Sequence, residues 1–254
     1  MFLSLENLKV RYRPYPIGIA QPALAEDTYE RLIETFPPPE LFDGYDTVLR
    51  PGRKKYTLSE KENPKAFHGF IRQSPEWRAV YDDVKSDRFV YSVLDALRDH
   101  DIDLGPHYLP PARRALKRVK DLSKGRLSPD AARLKARFEF SALPADGGHL
   151  SPHTDAPTKI VTLIVSMMRP GEWDAAHGGG TDVNVPKDDR FAFNQMNRLA
   201  RFEDMDVLDT FDYAPNQAVV FVKTFNSWHS VPPMRGHGST ALRKTLTINI
   251  ERFM

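Results

Sequence analysis

Nine residues near the end of the chain constrain its fold most: Arg243-Lys244-Thr245-Leu246-Thr247-Ile248-Asn249-Ile250-Glu251. Successive side chains of a β-strand point to opposite faces. Arg243, Thr245, Thr247, Asn249 and Glu251 therefore share one face, while Leu246, Ile248 and Ile250 share the other. Such a strand must pack its apolar face. Its polar face either meets water or lines an interior cavity, with Arg243 and Thr245 turned inward and Lys244 pointing away.

Other stretches of the second half read the same way. Residues 138–143 alternate apolar and polar, and residues 144–148 form a Pro/Gly turn. Residues 159–167 are a β-branched run suited to a buried strand. Residues 178–185 enter a further strand through three glycines, and 217–222 supply another. The spacing G-x-x-x-x-G-K-[ST] is absent, so these glycines are no P-loop. Residues 186–213 read as a charged excursion holding at most one short helix. Short strands joined by turns point to a mainly β fold, a double-sheet jelly roll with flanking helices buttressing one face.

Those helices come from the first part. Residues 15–20 look like a short strand. Leu24, Thr28, Leu32 and Phe36, with Tyr29 and Ile33, fall at helical spacing until Pro37-Pro38-Pro39 stops them. Residues 43–65 read as a loop region. Ser74-Pro75-Glu76 reads as a helix start, serine capping and proline in the first turn. Residues 87–100 place Phe89, Val90, Val93, Leu94 and Leu97 on one side. All of these positions read as core packing. With 254 residues the chain is expected to be a single domain. Its expected parts are a mostly helical support region at 1–105, a basic insert or lid at 106–136, and a β core at 137–254.

Composition narrows the function. Hydrophobic content of 41% and charged content of 28% are ordinary for a globular protein. A net charge of +2 demands neither nucleic acid nor membrane as a partner. The absence of cysteine excludes disulfides, thiolate metal sites and cysteine nucleophiles. The longest apolar runs are too short to span a bilayer, and the first residues lack the basic start of a signal peptide. Cytoplasmic is the default expectation. One stretch departs from the average. Residues 106–137 carry Arg113, Arg114, Lys117, Arg118, Lys120, Lys124, Arg126, Arg133, Lys135 and Arg137 against Asp121 and Asp130. They read either as a solvated helical surface or as a lid that steers an anionic substrate. No aromatic residues interleave them for base stacking.

The chemistry centres on Gly147-Gly148-His149-Leu150-Ser151-Pro152-His153-Thr154-Asp155. In an extended segment, His153 and Asp155 aim an imidazole and a carboxylate at one point. A third group arrives 76 residues later in Asn226-Ser227-Trp228-His229-Ser230-Val231. Two histidines and one carboxylate on one face of a metal make the facial triad of non-haem iron(II) oxygenases. His229 also reads as a hydrogen-bonded loop histidine, and His149 competes with it as the second imidazole. Arg243 could hold the distal carboxylate of a dicarboxylic acid as a bidentate pair, with the Thr245 hydroxyl adding a hydrogen bond.

Taken together, His153-Thr154-Asp155, then Trp228-His229-Ser230-Val231-Pro232-Pro233, then Arg243-Lys244-Thr245-Leu246-Thr247-Ile248-Asn249 resemble the 2-oxoglutarate/Fe(II)-dependent dioxygenase superfamily, in particular its prolyl-4-hydroxylase-like branch. Gly178-Gly179-Gly180-Thr181 and the strand at 15–20 are also similar to that branch. The resemblance implies a double-stranded β-helix core of the jelly-roll, cupin-like kind. It implies iron on His153, Asp155 and His229, and the C5 carboxylate of 2-oxoglutarate on Arg243. Collagen-type prolyl hydroxylases usually carry lysine at that last position, so arginine departs from them. Related halogenases replace the carboxylate ligand with a small residue, so Asp155 argues for hydroxylation. The implied reaction consumes O2 and 2-oxoglutarate, releases succinate and carbon dioxide, and places a hydroxyl on a C–H bond of a small-molecule or peptide substrate. Competing readings are a non-enzymatic ligand- or sugar-binding jelly roll and a zinc-dependent hydrolase, the latter lacking the general-base glutamate of an H-E-x-x-H helix.

Overall fold

The computed structural model describes residues 1–42, 53–105, 116, 119–120, 123 and 133–253. Most of the expected basic insert, 106–136, lies outside them. The described residues form two antiparallel sheets. β1 (Lys9–Arg11), β2 (Ile17–Ala20), β4 (Tyr56–Ser59), β5 (Arg133–Pro144), β7 (Lys159–Ser166), β10 (Ala218–Val222) and β12 (Leu242–Phe253) make the larger sheet, in the order β1-β2-β10-β7-β12-β5-β4. β3 (Arg53–Lys54), β6 (His149–His153), β8 (Thr181–Pro186), β9 (Met205–Phe211) and β11 (His229–Val231) make the smaller, in the order β3-β6-β11-β8-β9.

β12 is the axis of this arrangement, paired along its whole length with β5 and along most of it with β7. Its two faces have opposite fates. Leu246, Ile248 and Ile250 are fully buried in the main hydrophobic core. That core lies between the larger sheet and four helices: α1 (Glu26–Glu34), α2 (Pro64–Gln73), α3 (Pro75–Val84) and α4 (Asp87–Arg98). The other face is also buried, with Arg243, Thr245, Asn249 and Glu251 each at most 5% exposed. The space between the two sheets is therefore polar along β12, flanked by smaller apolar clusters around Ile17, Val183 and Phe221 and around Leu143 and Val231. The largest apolar core sits outside the sandwich, under the helices.

Aromatic packing holds that outer core together. Phe140 of β5 meets the Trp77 ring of α3 edge-on, with centroids 4.6 Å apart, and touches Phe36, Phe70 and Phe138 at 5.4–5.5 Å. Trp77 Nε1 donates to the carbonyl of Thr35 at 2.8 Å, so its one polar atom is satisfied on burial. Phe140→Ala is expected to destabilise the fold by about 3–5 kcal/mol, read as a lowered midpoint in urea unfolding.

Several expectations need correction. The 43–65 loop region contains β3 and β4 and the first residues of α2; its residues 43–52 lie outside the described set. Only Phe67 and Ile71 of α2 are buried, too few to announce a helix among charged neighbours. The 186–213 excursion contains β9, an edge strand whose Val207 and Leu208 are both exposed, so no alternation marks it. Ser74 stands at the start of α3, but its hydroxyl meets Glu76 at 3.4 Å and caps no backbone amide. Ser86 does cap, accepting from the amide of Phe89 at 3.1 Å to open α4.

Candidate metal and anion site

His153 and His229 become neighbours through strand pairing. β11 runs antiparallel to β6, with His229 directly opposite His153. Side chains opposite one another on paired strands stand close, and the two imidazole centroids are 4.3 Å apart. This is how a separation of 76 residues collapses to contact. Both rings are held alike. Nδ1 of His153 lies 2.9 Å from the carbonyl of Ser151, and Nδ1 of His229 lies 2.9 Å from the carbonyl of Ser227. A carbonyl only accepts, so each Nδ1 carries the proton and each Nε2 is left with a lone pair to offer.

Asp155 joins them by a different route from the one its spacing implies. β6 ends at His153, and Asp155 has φ +72, the left-handed region. The turn, rather than strand alternation, swings the carboxylate back. Its Oδ1 is 3.8 Å from His153 Nε2. The ligand atoms of His153, Asp155 and His229 all lie within 4.8 Å of one another, a set that could hold a metal ion. His149, the competing imidazole, faces the carbonyl of Gly147 at 3.0 Å and stands outside the cluster.

The electrostatics suit a cation. Burial pushes the His229 imidazole down to about 3, with His153 adding to the effect. Burial also lowers His153. Both rings are thus neutral at physiological pH, the form that binds metal. Burial on its own would raise Asp155, yet Lys159, His229 and His153 together hold its carboxyl well below the usual range. Lys159 Nζ lies 2.7 Å from Oδ1, and the hydroxyl of Thr162 donates to Oδ2 at 2.8 Å. Thr162 belongs to β7, so this bond ties the turn of the smaller sheet to the larger one.

Across the same cavity stands Arg243, 3% exposed. Its Nε donates to the carbonyl of Gly179 at 2.5 Å, its Nη2 reaches Thr181 Oγ1 at 3.5 Å, and its guanidinium stacks 4.8 Å over Tyr213. Among the described residues no carboxylate pairs with it. Burial pushes it down to about 10. Buried charges are ordinarily paired, so a guanidinium in this state is ready for an anion from outside. Thr245, also buried, lines the cavity beside it. Gly179 explains part of the glycine run. It has φ +90, and a Cβ there would lie 3.2 Å from Arg243 Cδ and 3.2 Å from Met234 Sδ. Gly179→Ala is expected to cost about 1–3 kcal/mol through backbone strain and to displace the guanidinium, read together as a lower melting temperature and weaker anion binding.

All five residues singled out from the sequence thus face one cavity. Lys159, Thr162 and Tyr213 were not singled out. Lys159 lies four residues after Asp155, a spacing that signals contact only on a helix, and Tyr213 sits in a stretch without periodicity.

No family model matches the chain, and no curated protein matches it. Solved structures do. The epimerase SnoN from nogalamycin biosynthesis, described as non-heme and alpha-ketoglutarate dependent, is 12% identical and covers 95% of this chain and 80% of its own, with a TM-score of 0.50. A Trichoplax adhaerens prolyl hydroxylase, solved with a hypoxia inducible factor peptide fragment, is 11% identical over 92% of this chain and 83% of its own, TM-score 0.45. A Pseudomonas putida prolyl-4-hydroxylase is 13% identical over 79% of this chain and 94% of its own, TM-score 0.32. The fold is that of the iron and 2-oxoglutarate oxygenases. At such identities only topology is shared, and the chemistry has to be argued from the side chains of this chain.

Proposed function

We propose that the protein is an Fe(II)- and 2-oxoglutarate-dependent dioxygenase that hydroxylates a C–H bond of its substrate, releasing succinate and carbon dioxide. The observation that carries this reading is the pairing of two features in one cavity. A neutral His153–His229 pair with the Asp155 carboxylate stands opposite a buried Arg243 that lacks a carboxylate partner among the described residues.

The residues fit the absent groups by donor type. Two imidazole nitrogens and one carboxylate suit Fe(II) and leave open positions for co-substrate and oxygen. Bound there by His153, Asp155 and His229, iron would supply the activation of O2 needed for oxidative decarboxylation of 2-oxoglutarate and oxidation of the C–H bond. The chain itself binds and orients. The carbonyls of Ser151 and Ser227 fix both imidazoles in one tautomer, and Thr162 and Lys159 set the carboxylate. Arg243, with Thr245 beside it, receives the C5 carboxylate and so fixes how far the 2-oxo acid end reaches toward the metal.

The substrate is a small molecule or a peptide. Among the described residues, no helix is long and apolar enough to cross a membrane. A cytoplasmic setting is part of the proposal, in keeping with a chain free of cysteine.

The test is succinate formation from 2-oxoglutarate, with ferrous iron and ascorbate under air, alongside direct measurement of 2-oxoglutarate binding. Turnover that needs both iron and 2-oxoglutarate is expected. Neither binding nor turnover, in protein that has taken up a stoichiometric ferrous ion, would reject the assignment.

A further inference from the structure

A second cavity, of about 360 Å³, opens beside the metal ligands and shares with the first the wall formed by His153, Asp155, Lys159, Lys55, Glu139 and Leu150. Cavities of this size usually have mostly apolar linings. Only three of the seventeen residues lining this one are apolar. Recognition here must be polar.

The charges are arranged in pairs. Arg137 of β5 donates from Nε to Glu251 at 2.9 Å and from Nη2 to the same carboxylate. Lys55 Nζ lies 2.6 Å from Glu139, also of β5. Within each pair one member is more open. Arg137 is 28% exposed against 6% for Glu251, and Glu139 is 27% exposed against 10% for Lys55. β5 therefore presents one guanidinium and one carboxylate to the cavity, and in the neighbouring Lys159–Asp155 pair the ammonium is the more open member, 18% against 7%. Arg137 and Glu139 stand two residues apart on a single strand, hence on the same face and about 7 Å from each other along it. Glu251 engages Nε and Nη2, so the Nη1 edge of Arg137 is the one a ligand would meet. Lys61 and Glu62 add a further charge of each sign to the lining.

This wall discriminates by charge. A molecule bearing only acidic groups approaches Glu139 at a cost, and one bearing only basic groups approaches Arg137 at a cost. A molecule carrying both, a short distance apart, gains from both. We propose that the substrate is a small zwitterion of amino-acid type. Its carboxylate meets Arg137, its ammonium meets Glu139, and the bond to be oxidised faces His153 and Asp155. This rests on the oxygenase reading, because it takes the neighbouring metal site as the reaction centre.

The experiment uses the full chain loaded with ferrous iron and 2-oxoglutarate, after binding of each has been measured separately. Succinate formation is then followed with a panel of free amino acids, the same amino acids N-acetylated or as methyl esters, and sugar phosphates. At least one free zwitterion is expected to stimulate turnover about tenfold or more, and its acetylated and esterified forms to lose that stimulation. Arg137→Gln and Glu139→Gln are each expected to raise KM for that zwitterion by about tenfold to a hundredfold, with circular dichroism and the melting temperature measured alongside to establish that the variants are folded. Stimulation by sugar phosphates or blocked amino acids instead, or by no zwitterion while iron and 2-oxoglutarate bind normally, overturns the substrate class and leaves the oxygenase reading standing. Failure to bind 2-oxoglutarate at all overturns the oxygenase reading itself.

Discussion

His229→Ala is expected to remove iron-dependent succinate formation by more than a hundredfold. Loss of an outer hydrogen-bond partner of a metal ligand typically costs about ten- to a hundredfold, and here a proposed ligand itself disappears. The side chain is 5% exposed, and its Nδ1 is committed to the carbonyl of Ser227, so no other described group stands ready to replace its Nε2. Its ring also rests against Phe221, with centroids 4.4 Å apart, so truncation leaves a small cavity and some loss of stability. Metal binding separates the two effects. Titration with ferrous iron under anaerobic conditions should show weakened binding in protein that remains folded by circular dichroism. His149→Ala is the matched control, since that imidazole faces the carbonyl of Gly147 outside the cluster and should leave iron binding intact. Full turnover by His229→Ala would sink the proposed ligand set.

Arg243→Met should separate stability from binding in opposite directions. Burial pushes the guanidinium down to about 10. At about 1.4 kcal/mol per tenfold change in proton affinity, keeping it charged inside the protein costs roughly 3 kcal/mol. The sign follows from a base whose folded-state affinity for a proton is lowered. The cost is present at every pH below about 10 and fades only above it, so it applies in full at pH 7. A methionine of similar length removes that cost while filling much of the space. The metal-free variant is expected to melt at the same temperature as the parent or higher. Its 2-oxoglutarate affinity should fall by more than about a hundredfold, the loss of a bidentate charged pair. The parent protein should gain about 2.7 kcal/mol of stability at 2-oxoglutarate concentrations a hundred times Kd, and the variant essentially none. A variant that melts lower and still binds 2-oxoglutarate would contradict the role given to this arginine.

The alternation in β12 announced a strand and its two faces, but could not say which face looks inward. That is decided by partners far away in the chain. Trp77, Phe89 and Val93 from the helices are buried in the same core as Leu246, Ile248 and Ile250, which leaves Arg243 and Thr245 on the face toward the smaller sheet. The helices around Leu32 and Val93 were legible because their buried residues fall at helical spacing, Tyr29, Leu32 and Ile33 in one and Phe89, Val90, Val93, Leu94 and Leu97 in the other. β9 and α2 were not, because an edge strand with exposed Val207 and Leu208, and a helix burying two residues, carry too little pattern. In the site, residue types and order were legible, whereas contacts across strands were not. Thr162 bonds Asp155 from another sheet, and Tyr213 lies under Arg243 from 30 residues away. The spacing of His153 and Asp155 drew attention to the right pair, although the backbone joins them through a left-handed turn.

That turn makes the proposed acidic ligand, Asp155, replaceable in a particular way. Few side chains tolerate a φ of +72, and glycine tolerates it best. Asp155→Gly would therefore relax the main chain while vacating one coordination position and removing one negative charge beside the two imidazoles. A valine or isoleucine there would strain the loop before any question of chemistry arose. The permitted substitutions at this corner are thus set by backbone shape, and the gentlest of them is also the one that would alter the surroundings of the proposed metal most.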